Sequence, residues 1–206
     1  MPFESRYKYI DHEYLYTDKD TGVLLNKENI KDYKELIAFE SLCVANRSEQ
    51  LLKNPIKIEY GYDLLKIHKF LFQDVYDWAG SVRKVEIAKG GRQFLPMHSF
   101  NSAFAYIDSL LSELKAIQKS DKKKIAEKLA IILDNINFLH PFREGNGRTQ
   151  REFTRLLALQ KGYKLNLNPI DNHSVYERYM DDTINGKVDD LYKLITALGI
   201  RHVGTK

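Results

Sequence analysis

The densest chemistry in this 206-residue chain lies in one run, His140-Pro141-Phe142-Arg143-Glu144-Gly145-Asn146-Gly147-Arg148-Thr149-Gln150-Arg151. His140 has a side chain that titrates near neutrality and can take a proton from an attacking hydroxyl. Glu144 offers a hard carboxylate, suited to Mg2+ that is otherwise held by phosphates and water. Gly145, Asn146 and Gly147 allow a tight turn whose backbone amides can hold phosphate oxygens with no bulky side chain in the way. Arg148 and Arg151 are three apart, so on a helix their guanidinium forks share one face. Together these residues describe a nucleotide-phosphate site with a base facing it. A lone histidine or a single glycine pair is ordinarily structural, but this combination in twelve residues is not a usual product of packing.

Such a loop must be held between rigid elements, and the flanking residues supply them. Upstream, Ile125, Leu129, Ile132, Leu133 and Ile136 recur at helical spacing. Downstream, Phe153, Leu156, Leu157 and Leu159 predict a second helix that ends at Gly162. Pro141 disfavours helical geometry at His140, which breaks the two helices apart. The first N–H groups of the second helix have no internal partners, and that end of a helix attracts anions.

The run HPFREGNGRTQR resembles the motif of the Fic family, H-x-F-x-[D/E]-G-N-G-R-x-x-R, at every defined position. Members of that family typically transfer AMP from ATP to a hydroxyl of a target protein. The resemblance implies that His140 is the base, that Phe142 anchors the loop in the core and that Glu144 holds Mg2+. It also implies that Gly145, Asn146 and Gly147 form the anion cradle while Arg148 and Arg151 reach the outer phosphates. The segment Gly22-Val23-Leu24-Leu25-Asn26-Lys27, within 16–29, is similar to the N-terminal stretch of many bacterial Fic toxins.

The remainder of the chain reads as helix with one exception. A helix is expected from about Asp32 to Asn54-Pro55, with Leu36, Ile37, Glu40, Cys43 and Val44 on one side. Another runs from about Tyr62 to Ala79, its apolar face carrying Leu64, Leu65, His68, Leu71, Phe72, Val75 and Trp78. No second ligand stands at a metal spacing from His68, so a hydrogen-bonded core histidine is expected there. From Val82 to Ile87 the period becomes two, Gly90-Gly91 turns the chain, and Arg92 to Leu95 returns before Pro96. This predicts a hairpin at about 82–96, expected as the sole β element of the chain. In Fic proteins a hairpin at this place is the flap thought to align the target segment by strand addition, which implies that Lys89 and Phe94 border the substrate. Ser99 is expected to cap a helix striped by Phe100, Ala103, Phe104, Ile107, Leu110, Leu111, Leu114 and Ile117. Asp171 is expected to cap a short helix with Val175, Tyr176, Tyr179 and Met180. The family often places that helix near the adenine, so Tyr176 or Tyr179 either stacks on the base or packs the core. A last helix uses Val188, Leu191, Leu194, Ile195 and Leu198.

The expected architecture is therefore all-α, a Fic fold of about seven helices with one small flap hairpin. It is expected as a single domain over 1–206, with 1–29 irregular and 30–200 the helical core. Hydrophobic content of 43%, charged content of 29% and a net charge of +4 are ordinary and give no case for nucleic-acid or membrane binding. The Lys122-Lys123-Lys124 run is read as a solvated helix start, and no apolar run approaches a spanning helix. The single cysteine, Cys43, excludes an internal disulfide and suits a bacterial cytoplasm; among Leu42, Val44 and Ala45 it is expected to be a buried small residue.

The expected activity is ATP-dependent adenylylation of a protein hydroxyl, with Mg2+ as cofactor. Alternatives are Doc-like phosphate transfer by the same site, or a helical module that binds nucleotide without turning it over. Fic proteins are often restrained by a glutamate in [S/T]-x-x-x-E-[G/N] that pairs with the motif's last arginine, here Arg151. Ser109 to Glu113 has the spacing, but Leu114 follows it, so no such brake is found. The chain thereby resembles Fic toxins inhibited by a separate small antitoxin that supplies the glutamate. Toxins of this type can modify DNA gyrase and topoisomerase IV, which are the default targets; a host protein, for a secreted effector, is the competing one.

Overall fold

The computed structural model of the chain describes residues 7–9, 13–89, 92–168, 173–197 and 201–202. Seven α-helices lie among them: α1 Tyr33–Lys53, α2 Asp63–Phe72, α3 Phe100–Ala116, α4 Lys122–Leu139, α5 Asn146–Gln160, α6 His173–Asn185 and α7 Val188–Ala197. Five short strands accompany them: β1 Tyr7–Tyr9, β2 Ile87–Lys89, β3 Arg92–Gln93, β4 Tyr163–Lys164 and β5 Arg201–His202. The fold is mostly helical, as the periodicity predicts. No helix among the described residues is long and apolar enough to cross a membrane. The chain divides into two compact units, each built from three stretches.

The first unit comprises Met1–Pro55, Leu65–Phe100 and His140–Asn146. Asp32 caps α1 by accepting the Glu35 N–H at 2.9 Å. The helix buries Leu36, Glu40, Val44 and Leu51. Ile37, expected on that face, is instead exposed, because the buried stripe is centred on the 36/40/44 row and leaves its neighbour outside. Cys43, expected to be buried, is half-buried at the edge of the stripe. Burial, and then the nearby Asp74, push its thiol up, which opposes a nucleophilic role.

The second predicted helix ends early, at Phe72 rather than Ala79. The Val75 carbonyl accepts from Lys27 N–H at 2.9 Å instead of bonding the next helical turn. The hairpin is also shorter than its alternation suggests. The Arg83 N–H goes to the Pro141 carbonyl at 2.7 Å and the Lys84 N–H to the Tyr16 hydroxyl at 3.0 Å, so two successive donors in 82–86 are taken away from a ladder. Pairing begins only at Ala88↔Gln93 and Lys89↔Arg92. Nor is the hairpin the sole β element. β1, in the segment expected to be irregular, pairs antiparallel with β2 and makes the order β1-β2-β3. Gly90-Gly91 lie outside the described residues, as does the Lys89 side chain.

The second unit comprises Ile56–Leu64, Asn101–Leu139 and Gly147–Lys206. The predicted stripe of α4 is fully buried at Ile125, Leu129, Ile132, Leu133 and Ile136. Asp121 starts that helix by accepting the Lys124 N–H at 3.1 Å, and the three lysines are exposed. α3 follows directly on a 3₁₀ turn, Met97–Ser99. It buries Phe104, Ile107, Leu110, Leu111 and Leu114, with Ala103 and Ile117 half-buried. Lys161 donates to the Lys115 and Ile117 carbonyls at 3.1 and 2.6 Å, closing the end of α3 beside the end of α5. α7 packs on α4 and α6, and β4 pairs with β5, a second departure from a lone hairpin. Asp171 and Leu198 lie outside the described residues.

Candidate active site

α4 stops at Leu139, and His140 follows in the left-handed region at φ 42°. For a residue with a Cβ this conformation costs about 1–2 kcal/mol, so neighbouring bonds must enforce it. Arg83 does so from both sides. Its Nε donates to the His140 carbonyl at 3.0 Å and its own N–H to the Pro141 carbonyl at 2.7 Å. The His140 side chain is 5% exposed and its imidazole stacks on Phe94, with centroids 3.7 Å apart and planes 16° from parallel.

The rest of the loop is closed by Asn146. Its Oδ1 accepts the Phe142 N–H at 2.9 Å and its Nδ2 donates to the Phe142 carbonyl at 2.7 Å. Phe142 is fully buried and stacks on His68 at 3.8 Å. His68 is a hydrogen-bonded core histidine, as expected. The Gly80 N–H donates to its Nδ1 at 2.8 Å, so Nε2 carries the proton and donates to the Glu144 carbonyl at 3.0 Å. His68 thus holds the loop from beneath. Gly145 sits at φ 81° against Phe72, where a Cβ would lie 2.4 Å from the ring.

Two members of the expected anion cradle are already engaged. The Gly145 N–H donates to Oε1 of Glu144 at 2.8 Å, and the Asn146 side chain closes the loop. Glu144 is half-buried, and among the described residues no group of three His, Cys, Asp or Glu side chains could cage a metal. A single hard carboxylate fits Mg2+ held mainly by phosphate oxygens and water, and does not fit a protein-only site.

In the second unit, Gly147, Arg148 and Arg151 lie in the first two turns of α5, at the end of the helix whose dipole favours anions. The Arg151 guanidinium lies over two rings, 5.1 Å from the centre of Tyr176 and 5.4 Å from that of Tyr179. Tyr179 is buried and its hydroxyl donates to Gln150 Oε1 at 3.3 Å. Burial pushes that hydroxyl up, against the pull of Arg151. Tyr176 is half-buried, so of the two tyrosines it is the one that keeps ring surface accessible.

A family profile described as Fic/DOC family matches residues 61–158. The probable protein adenylyltransferase y4lH of Sinorhizobium fredii is 33% identical over 175 residues, covering 84% of this chain and 88% of that protein. The chain belongs to the Fic/DOC family. The protein adenylyltransferase VbhT of Bartonella schoenbuchensis is 36% identical over 161 residues, 78% of this chain. This Fic chain spans only 34% of the length of VbhT. The BepC protein of Bartonella tribocorum, a VirB-translocated effector crystallised with AMPPNP, superposes with a TM-score of 0.77. It is 21% identical, and the match covers 90% of this chain and 96% of that one. Both of these curated relatives bear the name protein adenylyltransferase, y4lH with the qualifier probable.

Around the Fic motif, the sequence reading missed Arg83. The side chain is fully buried, and its Nη1 donates to the Val85 carbonyl at 2.7 Å and to Glu86 Oε2 at 3.0 Å. Its Nη2 donates to the Leu95 carbonyl at 2.5 Å. Burial draws the Arg83 pKa down, opposed by Glu86. Burial also raises the Glu86 carboxyl, but the Met97 N–H and Arg83 outweigh it and hold that carboxyl below its ordinary value. A signal was available: Arg83 shares the inward register of Val85 and Ile87, and an arginine there needs acceptors inside.

Proposed function

We propose that the chain transfers AMP from ATP to a side-chain hydroxyl of a target protein. The observation that carries this reading is the loop itself. His140 is held at positive φ just past the end of α4, and six residues further on α5 begins, with Gly147, Arg148 and Arg151 in its first two turns. In the proposed step His140 takes the proton of the target hydroxyl as that oxygen attacks the α-phosphorus in line. The new O–P bond forms as the bond to the bridging oxygen breaks, and pyrophosphate leaves. Arg148, Arg151 and the amides at the start of α5 offset its charge. Glu144 would hold Mg2+, which supplies further neutralisation of the phosphates when bound. Tyr176, with its accessible ring, is the better placed of the two tyrosines to meet the adenine. Phe94 borders the hydroxyl's approach from the flap, and Lys89 lies in the same sheet.

The proposal extends to regulation and setting. Glu113, which alone has a serine four residues before it, pairs with Lys128 at 2.5 Å. That supports a brake supplied in trans by a small antitoxin glutamate directed at Arg151. The default target is a bacterial cytoplasmic protein such as DNA gyrase or topoisomerase IV. Each compact unit draws on interleaved stretches of chain, which supports treating 1–206 as one catalytic domain. Incubation with a bacterial lysate and ATP labelled on the α- or γ-phosphate tests the chemistry. Protein-bound α-label is expected. Protein-bound γ-label means Doc-like phosphate transfer, and no label with intact ATP binding means a binding module.

A further inference from the structure

We propose that Arg83 is a positioning residue, whose buried guanidinium holds the His140 backbone and the segment just after β3 so that the base and the ring that covers it keep one geometry. The proposal rests on His140 being the base of the reaction above. Burying a guanidinium is unfavourable unless its donors are met. Here Nε meets His140 O, Nη1 meets Val85 O and Glu86 Oε2, and Nη2 meets Leu95 O, while the group lies 4.9 Å from the centre of the Phe100 ring. Three carbonyls from separate points of the chain converge on one planar fork. A lysine ammonium, which is a point charge on a flexible stem, cannot match those directions together. The two outer carbonyls flank the stack over the base. One is that of His140, and the other is that of Leu95, whose preceding residue Phe94 puts its ring on the imidazole. Phe94 is tied back in turn, its N–H donating to the Ile87 carbonyl at 3.1 Å. Arg83 therefore fixes both partners of the stack, though it reaches neither ring.

The test separates positioning from bulk stability. Arg83→Lys is expected to lower kcat for AMP transfer by about 10- to 100-fold, since a misplacement of about 1 Å can cost that much. KM for ATP should stay within about twofold while KM for the target rises, because the hairpin is held by Arg83 and the α5 arginines are not. A second measurement does not depend on activity. The Phe94 ring should shift the His140 Cε1–H proton resonance upfield, by an amount read as the difference between the unaltered protein and Phe94→Leu. Arg83→Lys should lose most of that shift. Ile132→Val, in the core of α4, should lower the melting temperature without moving the resonance or kcat. If Arg83→Lys does not fold, Glu86→Ala takes its place, with a smaller loss of the same two signals expected. A folded Arg83 or Glu86 variant that keeps both the ring-current shift and kcat would overturn the proposal. So would losses no larger than those of a control of equal melting temperature. Should the unaltered chain transfer nothing, the ring-current shift alone decides the positioning, and only the proposed reaction fails.

Discussion

Gly145→Ala probes the loop where the structure leaves least room. The residue sits at φ 81°, and an added Cβ would lie 2.4 Å from Phe72 Cζ and 2.5 Å from Cε2. Phe72 cannot swing aside, because it is fully buried and stacked on His68 at 4.7 Å. The left-handed backbone costs about 1–2 kcal/mol and overpacking about 1–3 kcal/mol more, so a loss of about 2–5 kcal/mol is expected. For a chain of this size that corresponds to a fall in melting temperature of roughly 4–20 °C. Gly147→Ala is the matched control. Gly147 is helical, and its added Cβ would meet only the guanidinium end of Arg151, at 3.4 Å, an ordinary contact distance. It should melt at or slightly above the unaltered protein, since alanine is the better helix residue by roughly 0.5–1 kcal/mol. Thermal unfolding followed by circular dichroism reads both. The reasoning fails if Gly145→Ala melts within a degree of the unaltered protein, or if Gly147→Ala falls as far.

Asn146→Ala removes both partners of the buried Phe142 peptide groups, each worth about 1–3 kcal/mol when left unmet. Its urea midpoint should drop accordingly, and an unchanged midpoint counts against Asn146 as the closure of the loop. Asp182 is buried with Oδ2 unpartnered, and burial raises its carboxyl above the ordinary 3.8. A raised folded pKa supports the fold below 3.8, and that support is lost as pH rises through the folded value. Asp182→Asn should therefore raise the melting temperature at pH 7 by roughly 2–4 °C for about 1 kcal/mol, with no gain in acid; an unchanged melting temperature at pH 7 counts against it. Glu144→Gln keeps an acceptor for the Gly145 N–H and so should leave the melting temperature unchanged. It should raise the Mg2+ concentration needed for transfer, and transfer indifferent to chelator in the unaltered protein would remove Glu144 as a metal ligand.

The helices were legible because their apolar stripes are long and regular. The α4 residues Ile125, Leu129, Ile132, Leu133 and Ile136 are all fully buried, as their spacing requires. The motif loop was legible because its chemistry is contiguous in the chain. What escaped depends on partners distant in sequence. Past the end of α2 the Val75 carbonyl is taken by Lys27, and ahead of β2 the Arg83 and Lys84 donors are taken by Pro141 and Tyr16. β1 is three residues of ladder, too short to show a period. Arg83 looked like an alternating strand residue because its acceptors, at Val85, Leu95 and His140, are brought together only by the fold.

The most direct test of the mechanism is transfer of α-labelled AMP by His140→Ala beside the unaltered protein. The imidazole is packed on Phe94, and its removal takes away no hydrogen bond of the His140 carbonyl, which Arg83 still holds. The variant should bind ATP with unchanged affinity and lose transfer by about 10²–10⁴-fold, the usual contribution of a general base. A folded His140→Ala protein that labels its target at the unaltered rate would contradict the mechanism.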